Sequence, residues 1–304
     1  MNLLGNKPQS STRWWRLLRP HTLTASIMPV LIGTALAFAR GSIDWLLFAA
    51  MLAASILIQS AVNMFNEYFD FKRGLDTMES VGIGGVIVRN EIPELLVLRV
   101  AELFFILSVL LGAYICARTS WWVAVAGSAS MVVGYLYSGS KSPIAYTPLG
   151  ELTAGIFMGP TIVLIAFFIQ TGTITWDSIF LSLPISTLVA AILLANNIRD
   201  AEGDMKKGRR TLAIKLGQSK ATDVLSGMFI FSFIIVAVLV SLRYASPLVL
   251  ISFASIPNAI RSIEIFRSKR TSAEMMSAMK STSVLHSQFG LLFTIGIVLG
   301  KLLQ

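Results

Sequence analysis

The chain has 304 residues, of which 55% are hydrophobic and only 13% are charged, and its mean hydropathy is +0.72. Soluble domains carry about twice that share of charged residues, so the composition excludes an ordinary soluble globular protein. The net charge of +9 does not indicate nucleic-acid binding, because the basic residues border apolar segments and are not interleaved with aromatic residues. The single Cys116 excludes an intrachain disulfide and a cysteine-based metal site.

Apolar segments recur along the whole chain, and nine of them are long enough to cross a bilayer core of roughly 30 Å. Pro247 and Pro257 interrupt the eighth segment. Because a backbone in lipid must satisfy its own hydrogen bonds, segments of this length predict helices. The sequence therefore predicts an all-α, polytopic membrane protein in which residues 1–304 form a single domain. The predicted spans are 22–39, 44–65, 97–117, 120–138, 149–170, 177–198, 224–242, 245–263 and 283–303.

Most basic residues lie on one side of this predicted bundle. The N-terminal segment and the loops after the even-numbered spans hold 21 of the 25 Lys and Arg residues. Cytoplasmic loops are enriched in these residues, so the distribution predicts a cytoplasmic N-terminus. The other side of the bundle holds only Arg40, Arg118, Arg243 and Lys301.

Two acidic motifs with the same spacing follow the second and the sixth predicted spans. Asn66 precedes Asp70 by four residues and Asn196 precedes Asp200 by four, so each pair projects from one helix face. Asp204 extends the second face by one more turn. Four crossings separate the motifs, which places both on the predicted cytoplasmic side. Carboxylates in this position are typical of a site for hard divalent cations and the anion that those cations hold.

Three interpretations of these motifs are open at this point. The acids could be ordinary helix-end charges paired with the neighbouring Lys and Arg residues, or part of an ion-coupled transporter, or the metal site of a membrane-embedded enzyme that handles a diphosphate. Transporter sites usually lie near the middle of the membrane on broken helices. The acids here lie at the ends of spans beside basic loops, which favours the enzyme.

The motifs resemble those of the UbiA superfamily of intramembrane prenyltransferases, whose members carry two Asp-rich motifs after the second and sixth of about nine helices. Segment 66–76, Asn-Glu-Tyr-Phe-Asp-Phe-Lys-Arg-Gly-Leu-Asp, is most similar to the branch that acts on 1,4-dihydroxy-2-naphthoate in menaquinone synthesis. The resemblance extends over nearly the whole chain. The other segments that carry it are 19–23, 141–151, 196–200 and 208–212.

The resemblance implies a Mg²⁺-dependent prenyltransferase in a bacterial cell membrane, with its active site on the cytoplasmic side. Such an enzyme transfers the prenyl group of a polyprenyl diphosphate to 1,4-dihydroxy-2-naphthoate. Carbon dioxide and diphosphate are lost, and a demethylmenaquinol is formed. Another aromatic acceptor, such as 4-hydroxybenzoate, stays open, because relatives with the same architecture use different acceptors.

Carried over residue by residue, the resemblance implies a metal site beside a substrate site. The expected metal ligands are Asn66, Glu67, Asp70, Asp76, Asp200 and Asp204. The expected catalytic residues are Asp70, Lys141, Asp200 and Asp204. The expected contacts to the diphosphate and the aromatic ring are Arg19, Asn66, Tyr137, Lys141, Asn196 and Arg199.

The chain departs from the general family pattern at two positions. Glu67 stands where the pattern has Asp. Gly74 stands where the pattern has another Asp, so the next acid in this chain is Asp76. These departures leave the full set of metal ligands open.

The two longest polar stretches, 67–96 and 199–223, are the loops that follow the acidic motifs. We expect them to order over bound diphosphate. Arg209 and Arg210 are interpreted as loop charges, and His286 as a partner in a hydrogen bond between helices.

Overall fold

The computed structural model describes residues 10–77 and 85–303, with side chains from Arg13 onward. In this part of the chain every regular element is helical and no strand is present. The α-helices are α1 Ser10–Leu18, α2 Pro20–Phe38, α3 Trp45–Lys72, α4 Glu94–Arg118, α5 Trp122–Gly139, α6 Gly150–Met158, α7 Pro160–Thr171, α8 Trp176–Lys206, α9 Leu212–Ser241, α10 Ile256–Ser268 and α11 Ser272–Leu302. Two 3-10 segments, Ile144–Tyr146 and Pro247–Ser255, precede α6 and α10.

Eight helical segments of the described chain are long and apolar enough to cross a membrane. They are α2, α3, α4, α6 with α7, α8, α9, the second 3-10 segment with α10, and α11. The remaining predicted span, 120–138, is the 18-residue helix α5, whose glycines and serines dilute its apolar character. Large apolar side chains such as Leu103, Ile106 and Leu110 are exposed on the surface of α4, as contact with lipid requires. The prediction of a polytopic, all-α membrane protein is confirmed.

Two spans are interrupted where the sequence contains proline. Helices α6 and α7 meet at Gly159 and Pro160, where proline removes a helical hydrogen bond. A Cβ at Gly159 would lie 2.5 Å from the Cα of Ser186, so glycine allows this span to press against α8. In the predicted eighth span, Pro247 begins a nine-residue 3-10 segment, and Pro257 lies in the first turn of α10.

The largest apolar core joins α2, α7, α8, α9, α10 and α11, and phenylalanines such as Phe229, Phe289 and Phe293 lie buried within it. Helices α3 and α8 cross the bundle in the same direction, so their C-terminal turns lie together at one end of it. His286 is fully buried on α11, but neither ring nitrogen has a hydrogen-bond partner in the described structure. The predicted hydrogen bond between helices is therefore wrong.

The packing of α2 against α7 gives a test of the fold. A Cβ at Gly33 would lie 2.3 Å from the carbonyl oxygen of Val163, whereas a Cβ at Gly227 on α9 would meet nothing within 4 Å. We expect Gly33→Ala to destabilise the protein by about 1–3 kcal/mol, because overpacking outweighs the gain in helix propensity. Gly227→Ala, the matched control, should be neutral or slightly stabilising. Thermal unfolding in detergent measures both, and a Gly33→Ala midpoint at or above the wild-type value would contradict the packing.

Candidate active site

The ends of α3 and α8 line a cavity of about 540 Å³ at one end of the bundle. We call it the charged cavity. Nine of the eleven predicted site residues line it, and they come from the start of α2, the ends of α3, α5 and α8, and the loop after α3. These nine are Arg19, Asn66, Asp70, Asp76, Tyr137, Asn196, Arg199, Asp200 and Asp204. Glu67 and Lys141 do not line it.

Arg209 joins the two acidic motifs. Its Nη2 donates to Oδ2 of Asp70 at 2.8 Å, and its Nη1 lies 3.3 Å from the carboxylate of Asp204. The guanidinium also lies over the ring of Tyr146, 4.9 Å from the ring centroid. Burial opposes the charge of Arg209, but the carboxylates of Asp70 and Asp204 outweigh this effect and raise the pKa of the guanidinium. The interpretation of Arg209 as a loop charge is therefore wrong.

A tight turn after α8 directs Arg209 back over the acidic residues. Gly208 adopts φ +80°, a conformation that favours glycine, and the N–H of Arg209 donates to the carbonyl of Asp204 at 3.0 Å. Lys207 donates through Nζ to the carbonyl of Leu75 in the loop after α3. The residues that follow the second motif thus bind the residues that follow the first.

A second guanidinium pairs with Asp200, the other predicted metal ligand on α8. Arg199 donates through Nε to Oδ1 of Asp200 at 2.7 Å, and through Nη2 to Oδ2 at 2.5 Å. The Arg199 side chain is 7% exposed, and its backbone carbonyl accepts a hydrogen bond of 2.7 Å from the Ser272 hydroxyl on α11. Helix α11 therefore helps to position this pair.

Both signs of charge are concentrated in the charged cavity. Burial is the main cause that raises the pKa of Asp76 to about 6, and the negative charges of Asp70 and Glu67 add to it. Burial and then the charge of Asp70 also raise the pKa of Tyr146. The basic residues that line the same cavity are Arg19, Arg89, Arg199, Lys206, Lys207 and Arg209. Such a cavity is suited to an anion that arrives with a cation.

The donor atoms fit Mg²⁺, which prefers carboxylate, amide and phosphate oxygens. Oδ1 of Asn196 is buried without a hydrogen-bond partner in the described structure, so it is available as a further oxygen ligand. The described residues contain no group of three or more His, Cys, Asp or Glu side chains that could hold a metal ion unaided. Mg²⁺ usually takes only one or two protein carboxylates and completes its shell with water and phosphate. The residues therefore fit a metal ion bound together with a phosphate-bearing ligand.

Glu67 has a different set of contacts from those of a metal ligand. Its side chain is 1% exposed, and Oε1 accepts hydrogen bonds from the N–H groups of Gly85 and Val86 at 2.7 and 2.6 Å. Oε2 lies 3.2 Å from Nη2 of Arg19. Both carboxylate oxygens are thus used within the protein, and the contacts favour an anchoring role over the predicted metal contact.

Lys141 lies in the loop after α5 and is exposed. The guanidinium of Arg73 holds this loop by donating to the carbonyl of Ser140 at 2.8 Å. The predicted contact between Lys141 and the substrate is not supported by this position. The predicted ordering of loop 67–96 falls partly on residues 78–84, which lie outside the described residues.

An apolar groove of about 400 Å³ lies between α3, α4, α5, the α6–α7 span and α8. Along α3 it extends from Asn66 to Met51, a distance of about 22 Å at the rise of an α-helix. The groove and the charged cavity share six lining residues. These are Arg19, Thr22, Asn66, Tyr137, Leu193 and Asn196. The two spaces thus adjoin. Charged side chains line the cavity at one end, and mostly apolar side chains line the groove that continues from it.

A helical membrane bundle in which a charged cavity adjoins an apolar groove is suited to a membrane enzyme for amphiphilic anions. Residues 26–284 match the UbiA prenyltransferase family. The chain belongs to this family, and the resemblance noted from its motifs is confirmed.

Curated relatives cover nearly the whole chain. A 1,4-dihydroxy-2-naphthoate octaprenyltransferase from Bacillus subtilis (strain 168) is 50% identical over 285 residues, which cover 94% of this chain and 92% of the relative. One from Mycobacterium tuberculosis (strain ATCC 25618 / H37Rv) is 28% identical and covers 90% of this chain and 93% of its own. A solved UbiA homolog from Archaeoglobus fulgidus, bound to GPP and Mg²⁺, has a TM-score of 0.66 at 15% identity, covering 94% of this chain and 99% of its own. At that identity the likeness shows the fold.

The contacts of Glu67 predict a local effect that needs no activity assay. In Glu67→Ala the N–H groups of Gly85 and Val86 lose their acceptor, a loss of about 1–3 kcal/mol of local stability. Hydrogen exchange of the backbone amides at 85–87 should become at least about tenfold faster. Glu102→Ala, which removes an exposed carboxylate paired with Arg99 on α4, is the control and should leave this exchange unchanged. Equal rates of hydrogen exchange at 85–87 in the two variants would contradict the anchoring role of Glu67.

Proposed function

We propose that this protein transfers a polyprenyl group from a polyprenyl diphosphate to 1,4-dihydroxy-2-naphthoate, with loss of carbon dioxide and diphosphate, to form a demethylmenaquinol. The observation that carries the proposal is the junction of the charged cavity with the apolar groove at Asn66, Tyr137 and Asn196. This junction fits a substrate with an anionic head and a long hydrocarbon tail. The acceptor follows from the activity of the Bacillus subtilis relative, which is 50% identical.

Other functions have less support. A 4-hydroxybenzoate acceptor is disfavoured because both curated relatives described above act, by name, on the naphthoate. An ion-coupled transporter is disfavoured because the paired carboxylates lie at one end of the bundle, whereas transporter sites usually lie near its middle.

The distribution of basic residues supports an orientation for the protein. The charged cavity lies at the end of the bundle where the predicted basic loops meet, including the loops after α3 and α8. We therefore place the N-terminus and the active site on the cytoplasmic side of a bacterial cell membrane.

In the proposed site, Asp70, Asp200 and Asp204 would hold Mg²⁺, with Asn66 and Asp76 as further ligands. When bound, the metal neutralises charge on the diphosphate as the bond to carbon breaks. The guanidinium groups that line the cavity then bind diphosphate oxygens, and those of Arg199 and Arg209 exchange carboxylate partners for phosphate. The fixed charges stabilise the leaving group without large rearrangement of the surrounding protein.

The reaction needs no covalent enzyme intermediate, because the aromatic ring is itself the nucleophile. The allylic C–O bond breaks, and its electron pair leaves with the diphosphate. The ring carbon that bears the carboxylate attacks the allylic cation, and loss of that carboxylate as carbon dioxide returns its bonding electron pair to the ring. The apolar groove excludes water from the cation and holds the isoprenoid tail. Tyr137 and Asn196 lie at the junction, where the reacting carbon would be placed.

The acidic motifs give a direct test of the proposed function. Asp70→Asn and Asp200→Asn should each lower kcat/KM for prenyl transfer by about 10²-fold or more, because charge stabilisation of the leaving group is lost. The control is Asp223→Asn, which removes an exposed carboxylate paired with Arg267. The assay uses purified protein, farnesyl diphosphate and Mg²⁺, with 1,4-dihydroxy-2-naphthoate and 4-hydroxybenzoate in parallel. Near-normal rates in both acid variants, or product from the benzoate alone, would contradict the proposal.

A second pair of variants distinguishes Arg209 from Lys141. Arg209→Gln should raise KM for the prenyl diphosphate at least about tenfold, because Arg209 lines the charged cavity and contacts both motifs. Lys141→Gln should stay within about twofold of wild type, since surface substitutions away from a site have small effects. Steady-state kinetics with varied prenyl diphosphate measures both values. A larger increase in KM for Lys141→Gln than for Arg209→Gln would contradict this prediction and would support the substrate contact that the sequence predicts for Lys141.

A further inference from the structure

A second charged cavity lies at the end of the bundle opposite the acidic motifs. It forms where α2, α9 and α11 end and α8 begins. It consists of two adjoining hollows of about 930 and 550 Å³ that share Arg40, Asp177, Arg243 and Tyr244 as lining residues. We call these hollows together the distal cavity.

The distal cavity concentrates positive charge on the side of the bundle that is depleted of it. Three of the four basic residues on that side line it, namely Arg40, Arg243 and Lys301. Among the described residues its only lining carboxylate is Asp177, which pairs with Arg40. Among residues 10–77 and 85–303, neither Arg243 nor Lys301 forms an ion pair. Within these described residues, the distal cavity therefore has two cations without an ion-pair partner.

Backbone capping of α9 does not account for the side chain of Arg243. A cation at a helix C-terminus interacts with the helix dipole, and Arg40 and Lys301 both occupy such positions. Arg243, however, follows α9 with φ +63°, where glycine or asparagine is usual. The carbonyls of Val240 and Leu239 near the end of α9 already accept hydrogen bonds from the N–H groups of Arg243 and Tyr244. Capping α9 thus does not require the guanidinium.

Aromatic residues place the distal cavity at the level of lipid headgroups. Trp176 stacks on Phe180 with a centroid distance of 6.0 Å, and Phe180 contacts Tyr244 edge-on at 5.5 Å. Trp176 is 71% exposed at the start of a membrane helix. Tryptophan and tyrosine in this arrangement are typical of the membrane–water interface.

We propose that the distal cavity binds the headgroup phosphate of an anionic phospholipid. Arg243 offers paired N–H donors to phosphate oxygens, and Lys301 supplies a second positive charge. The acyl chains of such a lipid would lie along the apolar surfaces of the helices below the cavity. This site is separate from the charged cavity and does not depend on the proposed function.

The test measures thermal unfolding of the purified protein in neutral detergent, with added short-chain phosphatidylglycerol or phosphatidylcholine. Phosphatidylglycerol should raise the unfolding midpoint saturably, whereas phosphatidylcholine should not. In the double variant Arg243→Asn, Lys301→Gln, the apparent affinity for phosphatidylglycerol should fall roughly 30-fold. Each cation near a lipid surface strengthens binding roughly fivefold, and the variant removes two of them. Asparagine is chosen because it tolerates the backbone conformation at position 243.

The matched control is Arg118→Gln, which removes the fourth basic residue of the same side. Arg118 lies outside the distal cavity and pairs with Asp44 at 3.0 Å. It should respond to phosphatidylglycerol as wild type does. If the double variant does not fold, Lys301→Gln alone should weaken the lipid effect roughly fivefold.

Three results would overturn the proposal. The first is equal stabilisation of the wild type by both lipids. The second is an equal loss of affinity in Arg118→Gln and in the cavity variants. The third is a full effect from inorganic phosphate or glycerol phosphate alone, which would identify a site for free phosphate instead of a lipid headgroup.

Discussion

Charge compensation at the ends of two membrane helices is the interaction on which this structure depends. Ionised carboxylates at the edge of a bilayer are costly unless they are paired, and here the helices α3 and α8 both end in them. Arg209 contacts Asp70 from one helix and Asp204 from the other, while Arg199 pairs with Asp200. These pairs join the two helix ends and concentrate acidic and basic groups in one small space. If a cation and its phosphate ligand entered this space, the carboxylates could pair with the cation and the guanidinium groups with the phosphate, so that no buried charge would lose its partner.

The charged cavity opens directly onto the apolar groove. Helices α3, α4 and α5 leave a groove between them, and small residues such as Gly112 and Gly127 line it. A Cβ at either glycine would meet no neighbouring atom within 4 Å, so the groove is open at these two positions. Asn66 and Asn196 belong to both spaces. The same helices thus line both the charged cavity and the apolar groove.

The sequence predicted the features that follow from periodicity and composition. Apolar segment length predicted the helical bundle, and the matched spacing of Asn66 to Asp70 and of Asn196 to Asp200 predicted residues that share a cavity. Helix α5 lines the groove with glycine and serine as well as with valine.

The details that escaped prediction depend on contacts distant in sequence. Glu67 accepts its hydrogen bonds from N–H groups 18 and 19 residues further along the chain, and no local pattern shows where a loop will return. Arg209 and Arg210 are equivalent in the sequence, and only the turn at Gly208 decides which guanidinium meets the acids. The family resemblance of segment 141–151 predicted Lys141 as a site residue, but its side chain is exposed in the loop after α5.

The central claim is that both helix ends bind one magnesium–diphosphate group. Calorimetric binding of a non-reactive prenyl thiolodiphosphate, with and without Mg²⁺, tests this most directly when it is measured as a double-mutant cycle on Asp70→Asn and Asp200→Asn. The account predicts binding that requires Mg²⁺ and a coupling free energy between the two positions of at least about 1 kcal/mol, because both contact the same bound group. Binding that is indifferent to Mg²⁺, or strictly additive effects of the two substitutions, would contradict it.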